Sequence, residues 1–205
     1  MFKFFSFTAA CLLGFSSLQA ADVAPAKPET KPATPALPPG VTPEMVQSML
    51  AAMQPGPKHA ELAKQVGEWD ADVEHYMPGM PVEKSKGSAK MTMVMNGRFL
   101  REDFKGTMMG QPFEGQMLLG YDNNLKRYDS TWIDSMGTGM MVTHSKGESP
   151  DELSGEFYCP LVKKEITARL VTKMVSNDEH IFEMHTPGPD GKEGLMMRIT
   201  YHRKK

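Results

Sequence analysis

A two-residue alternation of apolar and polar side chains restricts the fold of this chain more than any other feature. The segment WDADVEHY places Trp69, Ala71, Val73 and His75 on one side of an extended backbone, with acidic residues between them. This period is typical of a β-strand with one buried and one solvated face. Similar alternation recurs in SAKMTMVM, RFLREDFKG, PFEGQMLLGY, KRYDSTWIDSM, GMMVTHS, ELSGEFY, EITARLVTKM, HIFEMHT and LMMRITYHR. The sequence therefore predicts about ten strands.

Short connections rich in turn-forming residues separate these segments. Asn96-Gly97 and Asp122-Asn123-Asn124 are examples, and Pro189-Asp190-Gly191 lies before the last strand. Short turns pair successive strands antiparallel, and ten such strands lose their exposed edges when they close. We predict an all-β fold, a closed up-and-down antiparallel barrel with a short N-terminal helical segment. The alternative is a two-sheet sandwich, whose crossings are usually longer than those found here.

The N-terminus has the pattern of a secretory signal peptide over residues 1–20. Lys3 precedes an apolar stretch from Phe4 to Phe15, and small and polar residues follow up to Ala20. The stretch is too short to predict a retained membrane span, so the expected location is periplasmic or secreted. The alternative is a lipidated Cys11, although Thr8 stands where a lipoprotein cleavage site usually has an aliphatic residue.

Three further segments follow the predicted leader. Residues 21–41 contain six prolines and no aromatic residue, which predicts a disordered linker. Residues 42–67 form a helical lead, because Thr42-Pro43-Glu44 is a typical helix start and apolar residues recur at three- and four-residue spacing until Pro55. Residues 68–205 form the barrel domain.

Composition narrows the possible partners and cofactors. The chain has 23 basic and 25 acidic residues, a balance that gives no sign of a nucleic-acid partner. Cys159 is the one cysteine left after signal cleavage, so no internal disulfide is possible. An inert thiol is favoured there over a redox or metal-binding one. No cofactor is predicted, and a protein partner remains unknown.

Long segments of the chain closely resemble the bacterial family called domain of unknown function 1579. The similarity is carried by MNGRFLREDFKGTMMGQPFEGQMLLGYDN, TWIDSMGTGMM and TPGPDGKEGLMMRITYHRK, and it runs from about Lys58 to the C-terminus. The family has no assigned activity and therefore implies no catalytic residues.

A looser similarity links the chain to lipocalin-like barrels. These barrels begin with a short helical turn and a Gly-x-Trp motif, which corresponds here to Gly67-Glu68-Trp69. They also set an arginine of the last strand against the tryptophan, a position that Arg203 or Arg198 could occupy. The resemblance implies a barrel that holds a small apolar ligand or is filled by its own side chains.

The apolar phase of each strand predicts which side chains point into the barrel. The predicted interior consists of Trp69, Ala71, Val73, His75, Ala89, Met91, Met93, Met95, Leu100, Glu102, Phe104, Phe113, Met117, Leu119, Tyr121, Tyr128, Ser130, Trp132, Asp134, Met136, Met140, Val142, His144, Ile166, Ala168, Leu170, Phe182, Met184, Leu195, Met197, Ile199 and Tyr201.

Carboxylates within this set are the candidates for a functional role, because a buried charge needs a partner or becomes protonated. In the functional interpretation, Glu102 and Asp134 orient a ligand in an apolar pocket. The predicted ligand-binding residues are Glu102, Tyr128, Trp132, Asp134, Met91, Met93, Met117 and Tyr201. In the structural interpretation, Asp134 caps the Gly137-Thr138-Gly139 turn and Glu102 pairs with a lysine or arginine.

The favoured function is binding of a small apolar or amphiphilic ligand inside the barrel, without catalysis. We found no nucleophile elbow, phosphate loop or metalloprotease motif, and whether the protein is an enzyme stays open. One alternative is a filled barrel that acts as an interaction module on its Pro-rich tether. Another is a copper-binding protein, since the chain has 19 methionines and thioethers suit Cu(I). Methionine also fills irregular cores and forgiving pockets, which is the favoured explanation.

Overall fold

The computed structural model describes residues 37–159, 162–188 and 190–205. Within these residues, two helices and a 3₁₀ turn precede ten strands. The elements are α1 (Pro43–Ala52), α2 (Pro57–Leu62), the 3₁₀ turn (Ala63–Gln65), β1 (Gly67–His75), β2 (Glu83–Val94), β3 (Phe99–Met108), β4 (Gln111–Asp122), β5 (Arg127–Asp134), β6 (Met141–Ser145), β7 (Glu152–Cys159), β8 (Lys164–Met174), β9 (Glu179–Pro187) and β10 (Glu193–Arg203). The predicted signal peptide and most of the predicted linker lie outside the described residues.

The ten strands form one closed barrel in which every neighbouring pair is antiparallel. Pairing of β1 with β10 closes the sheet, with Ala71 opposite Tyr201. The Asn96-Gly97 signal marks the short connection between β2 and β3, in which Met95, Asn96 and Gly97 all have positive φ. The predicted closed up-and-down barrel is confirmed.

The interior follows the predicted phase on most strands. Trp69, Leu100 and Tyr128 are fully buried on β1, β3 and β5. Small residues make room for large ones, since a Cβ on Gly115 would lie 2.2 Å from the Trp132 ring. The predicted phase is therefore right where apolar residues alternate strongly.

The phase predicted for β6 is wrong by one residue. Thr143 and Ser145 are buried there, while Val142 and Met140 are exposed and His144 points outward to Asp129. The interior beside β6 is polar, because the Ser130 hydroxyl bonds that of Thr143 at 2.7 Å. Apolarity is consequently a misleading guide to the inward face of this strand.

Three further predicted interior residues lie elsewhere. Met95 and Met136 are exposed in connections after β2 and β5. Leu195 turns outward because a bulge interrupts the pairing of β10 with β9 between Leu195 and Met197. The residue at the bulge, Met196, instead accepts a hydrogen bond on its sulfur from the buried Thr186 hydroxyl.

One end of the barrel, called here the closed end, is covered by α2 and the 3₁₀ turn. Leu62 is fully buried, and the His59 ring packs edge-on against Tyr121. The Arg203 guanidinium lies 4.1 Å from the centre of the Trp69 ring and donates to the carbonyls of Lys64 and Val66. The predicted arginine–tryptophan pair is therefore confirmed for Arg203.

The surroundings of Gly67 explain why glycine occupies the first position of the Gly-x-Trp motif. Its φ is +151°, and an added Cβ would lie 2.4 Å from Arg203 Nη1. Any larger residue would therefore displace the guanidinium that holds the helical cover in place. By contrast, Arg198 pairs with Glu183 on the outer surface.

The opposite end, called here the open end, is formed by the connections after β1, β3, β5, β7 and β9. No helix covers it in the described part of the chain. Within the same residues, no helix is both long and apolar enough to cross a membrane.

Candidate ligand-binding site

A buried hydrogen bond inside the barrel, called here the crossing, joins two strands that are separated in the sheet by β1 and β2. The Tyr201 hydroxyl of β10 donates to Glu102 Oε1 of β3 at 2.8 Å, and both residues are about 95% buried. This partner differs from the lysine or arginine that the structural interpretation predicted for Glu102.

Burial determines the electrostatics of this crossing. It raises the pKa of Glu102 to about 7, although the Tyr201 hydrogen bond opposes the change. His180 stacks on Tyr201 at 4.4 Å and packs edge-on against Trp69. Burial, assisted by the Arg203 charge, lowers the pKa of His180 to about 4. The histidine is therefore neutral at pH 7, and the sequence analysis missed it as an interior residue.

Inward side chains on the open side of the crossing remain partly exposed. An inward side chain of a closed barrel can meet solvent only through an open end or an internal cavity. The half-buried hydrophobic residues that pack on the core at this side are Met108, Met117, Trp132, Met141, Phe157, Met196 and Met197. We call this set the open-end lining. Five flexible, polarisable thioethers and two aromatic rings could adapt to apolar ligands of different shapes.

Asp134 positions Trp132 within the open-end lining. Its Oδ2 accepts the indole Nε1–H at 3.0 Å, and its Oδ1 accepts the backbone N–H groups of Met136 and Gly137. The Trp132 ring also stacks on Phe113. Asp134 therefore caps the turn, as the structural interpretation predicted, and at the same time fixes one wall of the candidate site.

His75 is the unpaired polar group at the open end. It ends β1 on the inward phase and lies opposite Glu83 of β2 and Met197 of β10. Both ring nitrogens are buried, and neither has a hydrogen-bond partner among the described residues. Burial lowers the pKa of His75, so the neutral ring offers one donor and one acceptor.

The predicted ligand-binding residues do not form one group. Trp132, Asp134 and Met117 lie on neighbouring strands β4 and β5, with Met117 directly opposite Trp132. Glu102 and Tyr201 bind each other at the crossing. Met91 and Tyr128 are fully buried, and Met93 is half-buried near the closed end. The sequence pattern could not separate these layers, because the tilt of the strands decides their depth.

The methionines that the copper alternative would draw on along β2 lie in different surroundings. Met91 and Met93 lie on β2, whereas Met95 is 70% exposed in the following turn. Among the described residues, no group of three histidine, cysteine or carboxylate side chains is positioned to hold a metal. Cys159 is half-buried at the end of β7 and forms no disulfide.

A second apolar surface lies along α1. None of the helix residues is buried, and Met45, Met49, Leu50 and Met53 are each more than half exposed. Arg98 and Asn123 hold the end of the helix by donating to the carbonyls of Met53 and Ala52. A cleft of about 500 Å³ runs along α1, lined by Met45, Ser48, Met49, Ala52, Met53 and Asn124. A smaller cleft of about 280 Å³ lies beside it, between α1 and the turns at the closed end.

Comparison with known proteins places the chain in a family. Residues 54–203 match the family described as protein of unknown function (DUF1579). The chain belongs to this family. No functionally curated protein matches its sequence.

Two solved structures are similar to this chain. The crystal structure of Rv2717c from M. tuberculosis aligns with a TM-score of 0.54 and 14% identity, over 74% of this chain and all of that one. S-type phycobiliprotein lyase CPES from Guillardia theta aligns with a TM-score of 0.46 and 12% identity, over 71% of this chain and 92% of the lyase. At these sequence identities the DUF1579 protein shares a barrel fold with Rv2717c. Neither similarity assigns an activity to it.

Proposed function

We propose that this DUF1579 protein binds a small apolar or amphiphilic ligand at the open end of its barrel, without catalysis. The observation that carries the proposal is the partial exposure of the open-end lining beside a well-buried closed end. Apolar side chains that face inward yet remain accessible gain stability when an apolar ligand covers them. The Glu102–Tyr201 bond sets the inner limit of the site.

The location of the protein is part of the same proposal. We place it in the periplasm or outside the cell, on the basis of the signal-peptide pattern in residues 1–20. Mass measurement of the N-terminus after secretion by a bacterial host tests this, and an uncleaved N-terminus would count against it.

The ligand proposal can be tested with N-phenyl-1-naphthylamine, an uncharged dye that fluoresces in apolar sites. We expect saturable dye binding, with energy transfer from Trp132. The Trp132→Phe variant should lose most of this transfer, because Trp69 lies fully buried under the helical cover at the other end. The other tryptophan thus provides an internal control for site location.

Two results would contradict the proposal. One is the absence of saturable dye binding by the folded protein. The other is unchanged energy transfer in Trp132→Phe, which would place the dye away from the open end. In that second case α1 is the next surface to test.

A second candidate function is a protein-interaction module, and the exposed apolar residues of α1 favour it. None of the described residues that line the cleft along the helix is charged, so its complement is an uncharged apolar stripe. Met45, Met49 and Met53 recur every four residues and form such a stripe on α1 itself. This surface is therefore suited to a second copy of the chain, paired symmetrically.

Sedimentation velocity tests the second candidate. If α1 mediates association, wild type should dimerise in a concentration-dependent manner and Met49→Lys should remain monomeric. Met109→Lys is a matched control, because Met109 is also more than half exposed and lies in the turn after β3 at the opposite end. A monomer at all concentrations would remove self-association from consideration.

A further inference from the structure

The unpaired imidazole of His75 restricts what kind of ligand the open end can accept. An unmet buried donor or acceptor costs about 1–3 kcal/mol, so native proteins leave few of them without a role. His75 has two such atoms in the described part of the structure. Its neighbours Val73 and Met197 are apolar, and Glu83, directly opposite on β2, forms no hydrogen bond with the ring.

The polar chemistry that would satisfy His75 is specific. A neutral imidazole presents one N–H donor and one lone-pair acceptor on opposite sides of the ring. A hydroxyl or an amide can both accept and donate, and either can therefore bond to the ring. A carboxylate can accept only from the ring N–H, and an ammonium group can donate only to the lone pair, so each can meet one ring nitrogen and not the other.

The charges around His75 disfavour an anionic ligand. Glu83 lies opposite His75 on the inward phase, with its Oε1 bound to the Met109 N–H. Asp134 is the second inward carboxylate at this end, and its oxygens are occupied by the Trp132 indole and the turn. The inward-phase lysine there, Lys164, begins β8 and is exposed. An anion would thus approach two carboxylates and a neutral ring.

We propose that the open end selects uncharged amphiphiles whose hydroxyl or amide group hydrogen-bonds to His75 while the apolar part contacts the open-end lining. This inference rests on the proposed ligand-binding function. It adds the class of ligand and names His75 as the residue that determines it.

The test is displacement of N-phenyl-1-naphthylamine by four ligands of equal chain length at pH 8. We expect 1-octanol and octanamide to compete at a concentration about tenfold below that of octanoate, which corresponds to about 1.4 kcal/mol. 1-Chlorooctane lacks the donor and should compete more weakly than octanol. Octanoate that competes as well as octanol would overturn the proposal.

Variants separate a binding role of His75 from a structural one. His75→Leu should weaken octanol about tenfold and leave 1-chlorooctane unchanged. His75→Gln, which restores a donor and an acceptor, should recover part of the octanol preference. His202→Leu is the control, since that histidine lies on the outer face near Asp72 and Glu179. Equal loss of octanol and chlorooctane in His75→Leu would refute the proposed hydrogen bond.

The failure of this inference is distinguishable from failure of the proposed function. If the dye does not bind wild type, no open-end site exists and both fall. If the dye binds but octanol has no advantage, the site exists and only the role of His75 is wrong. Should His75→Leu fail to fold, His75→Gln and the four-ligand comparison on wild type still decide the question.

Discussion

Replacing Glu102 by glutamine should stabilise the protein relative to wild type, and the difference in unfolding free energy should grow as the pH rises. The carboxyl has a pKa of about 7 in the folded state and an ordinary value of 4.5. Above pH 4.5 the unfolded chain loses this proton while the folded state retains it, so folding becomes less favourable up to pH 7. The difference between these pKa values corresponds to about 3 kcal/mol, at 1.36 kcal/mol for each pH unit.

Glutamine removes this cost because it cannot ionise, and its carbonyl can still accept from Tyr201. We therefore expect Glu102→Gln to gain about 3 kcal/mol relative to wild type between pH 4 and pH 8.5. The assay is urea unfolding followed by circular dichroism at four pH values. The unfolding free energy of wild type must be subtracted from that of the variant at each pH. His180 titrates in the same range, and its effect on stability has the opposite sign.

Glu114→Gln is the control, since Glu114 is exposed on the outer face beside Lys105. Its unfolding free energy should run parallel to that of wild type. A constant difference between Glu102→Gln and wild type across the pH range would refute the argument. A relative gain by wild type at high pH would refute it more strongly, because it would mean that the folded state prefers the ionised carboxylate.

Three further predictions concern stability. Gly115→Ala places a Cβ against the Trp132 ring and should cost about 1–3 kcal/mol of stability in urea unfolding, with red-shifted tryptophan emission. The control Gly147→Ala meets no atom within 4 Å and should leave stability unchanged. Equal effects of the two substitutions would contradict this. Arg203→Met removes three hydrogen bonds to backbone carbonyls and should cost about 2–4 kcal/mol, and a change below 1 kcal/mol in the same assay would contradict it. His180→Phe should make the protein less sensitive to acid. The unfolded histidine gains a proton below pH 6.5 and the folded one only near pH 4, so wild type loses about 3 kcal/mol of stability from this group as the pH falls between these values. An unchanged midpoint of acid unfolding would argue against this.

The barrel was predictable because its sequence pattern and its turns agree. Period-two alternation specifies the inward face wherever large apolar residues occupy it, as with Trp69 and Leu100. It fails on β6, where the inward residues Thr143 and Ser145 are polar and bond to neighbours inside the barrel. It also fails at the bulge near Met196, because one extra residue reverses the phase beyond it.

The candidate site was predictable only in part. The bond between Asp134 and Trp132 joins residues two apart on one strand, so sequence could suggest it. Glu102 and Tyr201 are 99 residues apart, and their contact depends on the stagger of ten closed strands, which the pattern does not determine. His180 lies on the same face of β9 as Phe182 and Met184. Assigning every residue of this face to the interior, polar residues included, would have predicted that His180 points inward.

Methionine methyl NMR tests the open-end site most directly, because methionines mark each surface of the molecule. Titration of ¹³C-methyl-labelled protein with 1-octanol should shift the signals of Met117, Met141, Met196 and Met197 together, with one dissociation constant. The signals of Met45 and Met49 on α1 should not move. Shifts confined to α1 would contradict the open-end site and favour the interaction surface, and the absence of saturable shifts at any methionine would contradict ligand binding altogether.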